Sequence, residues 1–131
     1  MKKLLLSLLA IGTLSVAQAQ TKPLQTAKIS TPTVQCEMCK NRIEEYLKRI
    51  DGVTYVNVNF RRKEAAVKFL SDRTNIEMIK TSIANAGYDV AKPTADGSKP
   101  TEIEIAANPD SYKGLPKCCK KPEDGGGMPK N

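Results

Sequence analysis

The sequence predicts an α+β domain of order β-α-β-β-α-β, an antiparallel sheet with two helices on one face, followed by a cysteine-containing C-terminal extension. Three observations predict it. Residues 37–50 and 76–86 repeat apolar side chains at helical spacing. Residues 55–60 and 65–69 alternate apolar and polar side chains, as half-buried strands do. A short basic tip joins that alternating pair, as in an antiparallel hairpin.

The chain opens on a leader. Lys2 and Lys3, an apolar run over 4–16, and Ala17-Gln18-Ala19 make up a secretory signal peptide at residues 1–19, cut before Gln20. The run is short for a membrane span, which disfavours the alternative of an uncleaved anchor, and no later stretch is apolar for long enough to span a bilayer. No stable membrane anchor is therefore expected, and the location is expected to be the periplasm or the extracellular space. Removing residues 1–19 from 131 leaves 112, enough for one small domain with appendages, and losing Lys2 and Lys3 lowers the formal charge from +7 to +5.

Residues 20–26 read as a polar lead-in. Residues 27–34 read as the first strand, with Ile29 and Val34 apolar and Pro32 near the end, where a missing N–H is tolerated. In the first helix Cys39, Ile43, Tyr46, Leu47 and Ile50 form one stripe, and Asp51-Gly52 stops it. Val56, Val58 and Phe60 point one way in the second strand and Tyr55, Asn57 and Asn59 the other. After the tip Arg61-Arg62-Lys63, Ala65, Val67 and Phe69 repeat the pattern. Residues 71–74 offer caps for a helix whose stripe is Ile76, Ile79, Ile83 and Ala86, with Gly87 as its stop. Tyr88-Asp89-Val90 is the last core strand. This order is the split ferredoxin-like pattern, placed at residues 27–91.

The extension, 92–131, is less regular. Residues 91–100 read as a loop and 101–105 as a short extra strand. Asn108-Pro109 starts a brief helix that ends near Gly114. Residues 120–131, with Gly125-Gly126-Gly127, read as a disordered end.

The chain contains no histidine and no tryptophan. That excludes Ser-His-Asp and Cys-His catalysis and zinc sites of mixed Cys and His ligands. The basic charge of an exported chain does not point to nucleic acid. Lys48, Arg49, Arg61, Arg62 and Lys63 read as solvated faces, or as steering toward an acidic partner.

Cys36-Glu37-Met38-Cys39 carries the chemistry. Cys36 falls in the loop before the first helix and is expected to be exposed, whereas Cys39 falls in the first turn and is expected to be half-sheltered. Unpaired N–H groups at a helix start favour a thiolate, against a slight opposing effect of Glu37. Two thiolates suit the linear coordination of Cu(I) or Hg(II), and such ligands select soft ions over Mg, Ca or Mn. Zn(II) normally takes four ligands, which exist here only if Cys118 and Cys119 fold back to join the pair. Two other readings stay open. C-x-x-C at a helix start also runs thiol–disulfide exchange, although the Trp that commonly precedes such motifs is missing here. In an oxidising compartment the pair can also rest as a disulfide in a metal-free interaction module.

These residues resemble a known family. The strand–C-x-x-C–helix entry, Gly52-Val53 after the first helix and Ala86-Gly87-Tyr88 after the second are similar to a heavy-metal-associated domain, of the periplasmic mercury-binding or copper-chaperone-like type. Thr33-Val34-Gln35 stands where the family usually has Gly-Met-Thr, and Val34 can pack in place of that Met. The resemblance implies metal binding by Cys36 and Cys39, with Tyr88 near the metal loop. It also implies Cu(I), Hg(II) or a similar ion as cargo, and a metal-transport protein or another thiol metal-binding domain as partner. The expected protein is a monomeric carrier or scavenger, not an enzyme, with Cys118 and Cys119 as auxiliary ligands. Met38, Met78 and Met128 read as ordinary side chains. Lys40 is a candidate for offsetting the charge of a bis-thiolate complex.

Overall fold

The computed structural model describes residues 23–94 and 99–128. The elements are β1 (Leu24–Ser30), α1 (Glu37–Lys48), β2 (Val53–Asn59), β3 (Glu64–Leu70), α2 (Ile76–Asn85), β4 (Val90–Ala91), β5 (Ile103–Ile105) and α3 (Pro109–Lys113). Two 3₁₀ turns follow, Lys117–Cys119 and Pro122–Asp124. The strands form one antiparallel sheet in the order β2-β3-β1-β4-β5. This is the expected ferredoxin-like arrangement, with β5 added along the edge of β4.

The alternation of the strands builds the core. Val58, Ala65 and Ile29 lie in one row across β2, β3 and β1, and all three are buried. Val56, Val67 and Phe69 continue that face. Cys39, Ile43 and Leu47 of α1 and Ile79 and Ile83 of α2 close over it with no exposed surface. Each aliphatic side chain so buried contributes about 1.5–3 kcal/mol. Arg42 Nε donates to Ala86 O at 2.9 Å and ties the start of α1 to the end of α2.

Element ends differ from expectation where side chains or loops take over the ladder. β1 starts at Leu24, inside the expected lead-in, because Leu24 already pairs with Leu70. It ends at Ser30, where Thr31 N turns to Lys63 O at 2.8 Å and Val34 N to Thr31 O at 3.2 Å. Val34 is thus in a loop rather than a strand, yet fully buried beneath it. β4 is shortened because Asp89 N donates to Thr33 Oγ1 at 2.9 Å. The expected signal peptide at residues 1–19 lies outside the described residues. Among the described residues no helix is long and apolar enough to cross a membrane.

The extension is more ordered than its composition suggested. Asn108 caps α3 through its side chain, which accepts from Asp110 N at 3.0 Å and Ser111 N at 3.2 Å. Asn108 N donates to Ala84 O at 2.8 Å, docking α3 on the end of α2. Gly87, at φ +103°, makes that approach feasible, since a Cβ there would meet Ser111 C and Tyr112 N at 3.2 Å. Residues 120–128, expected to be disordered, are held by main-chain bonds such as Gly126 N to Lys121 O (3.1 Å) and Gly127 N to Lys117 O (3.0 Å). A Cβ at Gly126 would sit 2.5 Å from Lys120 O, so the turn leaves no room for a side chain. Residues 129–131 lie outside the described residues.

Candidate metal centre

Cys36 is the residue that caps α1, in extended conformation, and its side chain makes no capping bond. Its sulfur is therefore free to face other sulfurs. Cys39, one turn inside the helix, is fixed by the same stripe that buries Ile43 and Leu47. The two Sγ atoms are 3.1 Å apart.

The extension brings the other two cysteines to the same place. Cys118 Sγ lies 3.1 Å and Cys119 Sγ 3.6 Å from Cys36 Sγ, and 3.9 Å from each other. Cys36, Cys39 and Cys119 form a three-thiol group whose sulfurs all lie within 4.8 Å of one another. Met38 Sδ lies at its rim, 3.7 Å from Cys118 Sγ on an exposed side chain, whereas Met78 is exposed on α2 and Met128 in the tail. None of the four cysteines is in a disulfide.

Burial at the centre corrects the expected exposures. Cys36 is 5% and Cys39 0% exposed, neither an open nor a half-sheltered thiol, because the turn Lys117–Cys119 covers them. Cys119 is itself 1% exposed, and burial holds its thiol far above the ordinary thiol range, with Cys39 reinforcing the shift. Tyr88 is fully buried beside Cys119 and Cys39, and burial raises its phenol likewise. Its hydroxyl meets no oxygen or nitrogen partner among the described residues, and the polar groups beside it are the sulfurs of Cys119 and Cys39.

Lys63 brings a positive charge to the centre. Lys63, at the hairpin tip with φ 58°, donates from Nζ to Val34 O in the loop before Cys36. Burial lowers its pKa, while the charges of Cys39 and Cys36 pull it up and Lys99 opposes them. It is thus no plain solvated residue of the Arg61-Arg62-Lys63 tip. Three further residues that sequence reasoning did not single out hold the extension over the site. Gln35 Nε2 donates to Lys120 O at 2.7 Å. Lys121 Nζ pairs with Asp89 Oδ2 at 2.9 Å, and Asp89 Oδ1 accepts from Ala107 N at 2.8 Å. A lone carboxylate inside the apolar run 88–91 was the available signal, since a buried charge requires partners.

Comparison with known proteins places this geometry. The heavy-metal-associated domain pattern matches residues 28–89. The mercuric transport protein periplasmic component of Serratia marcescens is 32% identical over 88 residues, which span 67% of this chain and 93% of that protein. The chain belongs to the heavy-metal-associated domain family. A copper-exporting P-type ATPase of Staphylococcus saprophyticus is 31% identical over 83 residues, 62% of this chain and 10% of the ATPase. The crystal structure of oxidised MerP from Ralstonia metallidurans matches with a TM-score of 0.51 at 28% identity, covering 53% of this chain and 96% of MerP. Nearly half of this heavy-metal-associated chain therefore lies outside the MerP match.

Proposed function

We propose that this protein is an exported carrier that captures a soft metal ion, Hg(II) or Cu(I), at Cys36 and Cys39 and passes it to the thiols of a transporter or a related domain. The observation that carries the proposal is the placement of two free sulfurs 3.1 Å apart at the start of α1, within an all-sulfur group. Thiolates select soft ions, and no imidazole is present anywhere in the chain to broaden the choice. The naming of its relatives supports the two ions, mercury for the periplasmic proteins and copper for the ATPase. The leader at residues 1–19 supports export.

Transfer proceeds by ligand exchange. An incoming partner thiol loses a proton and bonds the ion, and a displaced Cys36 or Cys39 sulfur takes a proton up, so the ion changes hands without a redox change. The chain needs no catalytic group for this, and the role is that of a carrier rather than an enzyme.

Anaerobic titration of the reduced protein tests the reading. One Hg(II) or Cu(I) per chain is expected, lost in Cys36→Ser/Cys39→Ser. Turnover in an insulin-reduction assay without metal, together with no stoichiometric metal uptake, would replace this reading with thiol–disulfide exchange.

A further inference from the structure

The extension does more than lie near the cysteine pair. It is docked by an apolar anchor, an ion pair and main-chain bonds. Leu115, 4% exposed, packs within the core cluster next to Gly87. Lys121 pairs with the buried Asp89, and Lys121 N donates to Tyr112 Oη at 2.8 Å. Gln35, directly before the metal loop cysteine, holds Lys120 O. The last of these contacts ties the extension, across 85 residues, to the loop that carries Cys36.

We propose that residues 115–128 are a lid that completes a four-sulfur centre, Cys36, Cys39, Cys118 and Cys119, for a divalent d10 ion of tetrahedral preference such as Zn(II). The ion leaves only when the lid lifts and the centre falls back to two sulfurs. This rests on the reading that Cys36 and Cys39 hold metal.

Sulfur spacing gathers three of the four thiols and leaves the fourth at the edge of the group. With metal–sulfur bonds of about 2.3 Å, a tetrahedron has edges of about 3.8 Å, whereas a linear pair needs about 4.6 Å between its sulfurs. The Cys36–Cys119 and Cys118–Cys119 spacings of 3.6 and 3.9 Å lie near the tetrahedral edge and the Cys36–Cys39 and Cys36–Cys118 spacings of 3.1 Å inside it, while Cys118 stands outside the group of sulfurs within 4.8 Å of one another and must shift toward Cys39 as the ion binds.

Charge and donors agree with it. Four thiols binding one divalent ion release four protons to solvent and leave two net negative charges. The Lys63 ammonium, held at Val34 O, is drawn on by the charges of Cys39 and Cys36, and the buried Tyr88 hydroxyl lies beside Cys119 and Cys39. A buried hydroxyl needs an acceptor, and a thiolate is a stronger one than a thiol. The closed lid also shields the ion, because Cys36 and Cys39 have almost no surface for a partner's thiols to attack.

The test uses the reduced protein under anaerobic conditions with Zn(II) alone. X-ray absorption on the wild type is expected to give four sulfur neighbours. Cys118→Ser/Cys119→Ser is expected to give two sulfurs with oxygen or nitrogen neighbours, and to bind Zn(II) about 100-fold more weakly, as loss of a tethered second pair predicts. Lys121→Ala, which touches no sulfur, is expected to keep four sulfurs and to release Zn(II) to a small dithiol chelator about tenfold faster. Two sulfurs in the wild type, or Zn(II) affinity unchanged in the double variant, overturns the lid. If the wild type still takes up one Hg(II) through Cys36 and Cys39 in that case, the carrier reading stands and only the lid falls. Failure of the wild type to bind either ion overturns both.

Discussion

Cys36 and Cys39 are held by the fold, whereas Cys118 and Cys119 are held by a latch. The first pair sits where a 12-residue helix begins, and the stripe that buries Cys39 is the one that buries Ile43 and Leu47. Moving either sulfur requires disturbing the helix–sheet core. The second pair sits on a three-residue 3₁₀ turn with no repeating pattern behind it. Its position depends on Leu115, on Lys121 with Asp89, and on the bond from Gln35 to Lys120. One half of the sulfur cluster is therefore rigid and the other removable, and a centre of that kind can tighten around an ion and still give it up.

The largest test strikes the rigid half. Ile43→Ala removes a fully buried side chain from under Cys39 and is expected to cost about 2–5 kcal/mol in chemical denaturation. Metal affinity and fold should fall together. A variant that lost stability but kept its wild-type affinity would show that the first pair is not held by the core.

The next test strikes the hinge between the halves. Gly87→Ala places a side chain at φ +103° and pushes its Cβ to 3.2 Å from the backbone of α3. Strain of about 1–3 kcal/mol is expected. Because α3 is the neighbour that must yield, hydrogen exchange should rise over residues 108–128 before it rises over β1–β3. Uniform loosening of both regions would mean that the extension and the sheet form one cooperative unit.

The two halves were also unequally legible in the sequence. Both helices and the hairpin were readable because their signals are local: Ile43 and Leu47 recur at four-residue spacing, and Val56 and Val58 at two. Cys36 and Cys39 could be placed at a helix start for the same reason. The cover over them could not, because its contacts have no periodicity. Cys36 meets Cys118 across 82 positions, and Gln35 meets Lys120 across 85. A segment rich in Lys, Pro and Gly reads as solvated when its partners are that distant. Lys63 was hidden differently. It stands beside Arg61 and Arg62 with nothing in composition to mark it, and only its backbone at φ 58° and its bond to Val34 O set it apart.

A smaller effect is expected from the latch itself. Lys121→Ala leaves the buried Asp89 carboxylate with the bond from Ala107 N but without its ion pair to the tail. Lys121 is about one-third exposed, which limits the loss to about 1–2 kcal/mol, less than for a fully buried pair. Limited proteolysis should show it as earlier cleavage within 115–128 while the sheet stays protected. Cleavage at the wild-type rate would move the weight of the latch to Leu115 and Gln35.

The smallest effect tests the meeting of the halves most directly, and it turns on charge. Lys63 belongs to the rigid half, yet its ammonium matters most when the removable half is present. With Zn(II) on two thiolates the complex is neutral, and a nearby cation contributes little. With Zn(II) on four thiolates the complex carries two negative charges, and the same cation stabilises it. Lys63→Gln keeps a donor for Val34 O and removes only the charge. In the wild type it should weaken Zn(II) binding by about 1 kcal/mol, the scale of an ion pair in a partly solvated site. In Cys118→Ser/Cys119→Ser the same change should have almost no effect, so the double-mutant cycle isolates the coupling between Lys63 and the second pair. Equal losses in both backgrounds would place the action of Lys63 on Cys36 and Cys39 alone, and the two halves would then share a location without sharing an ion.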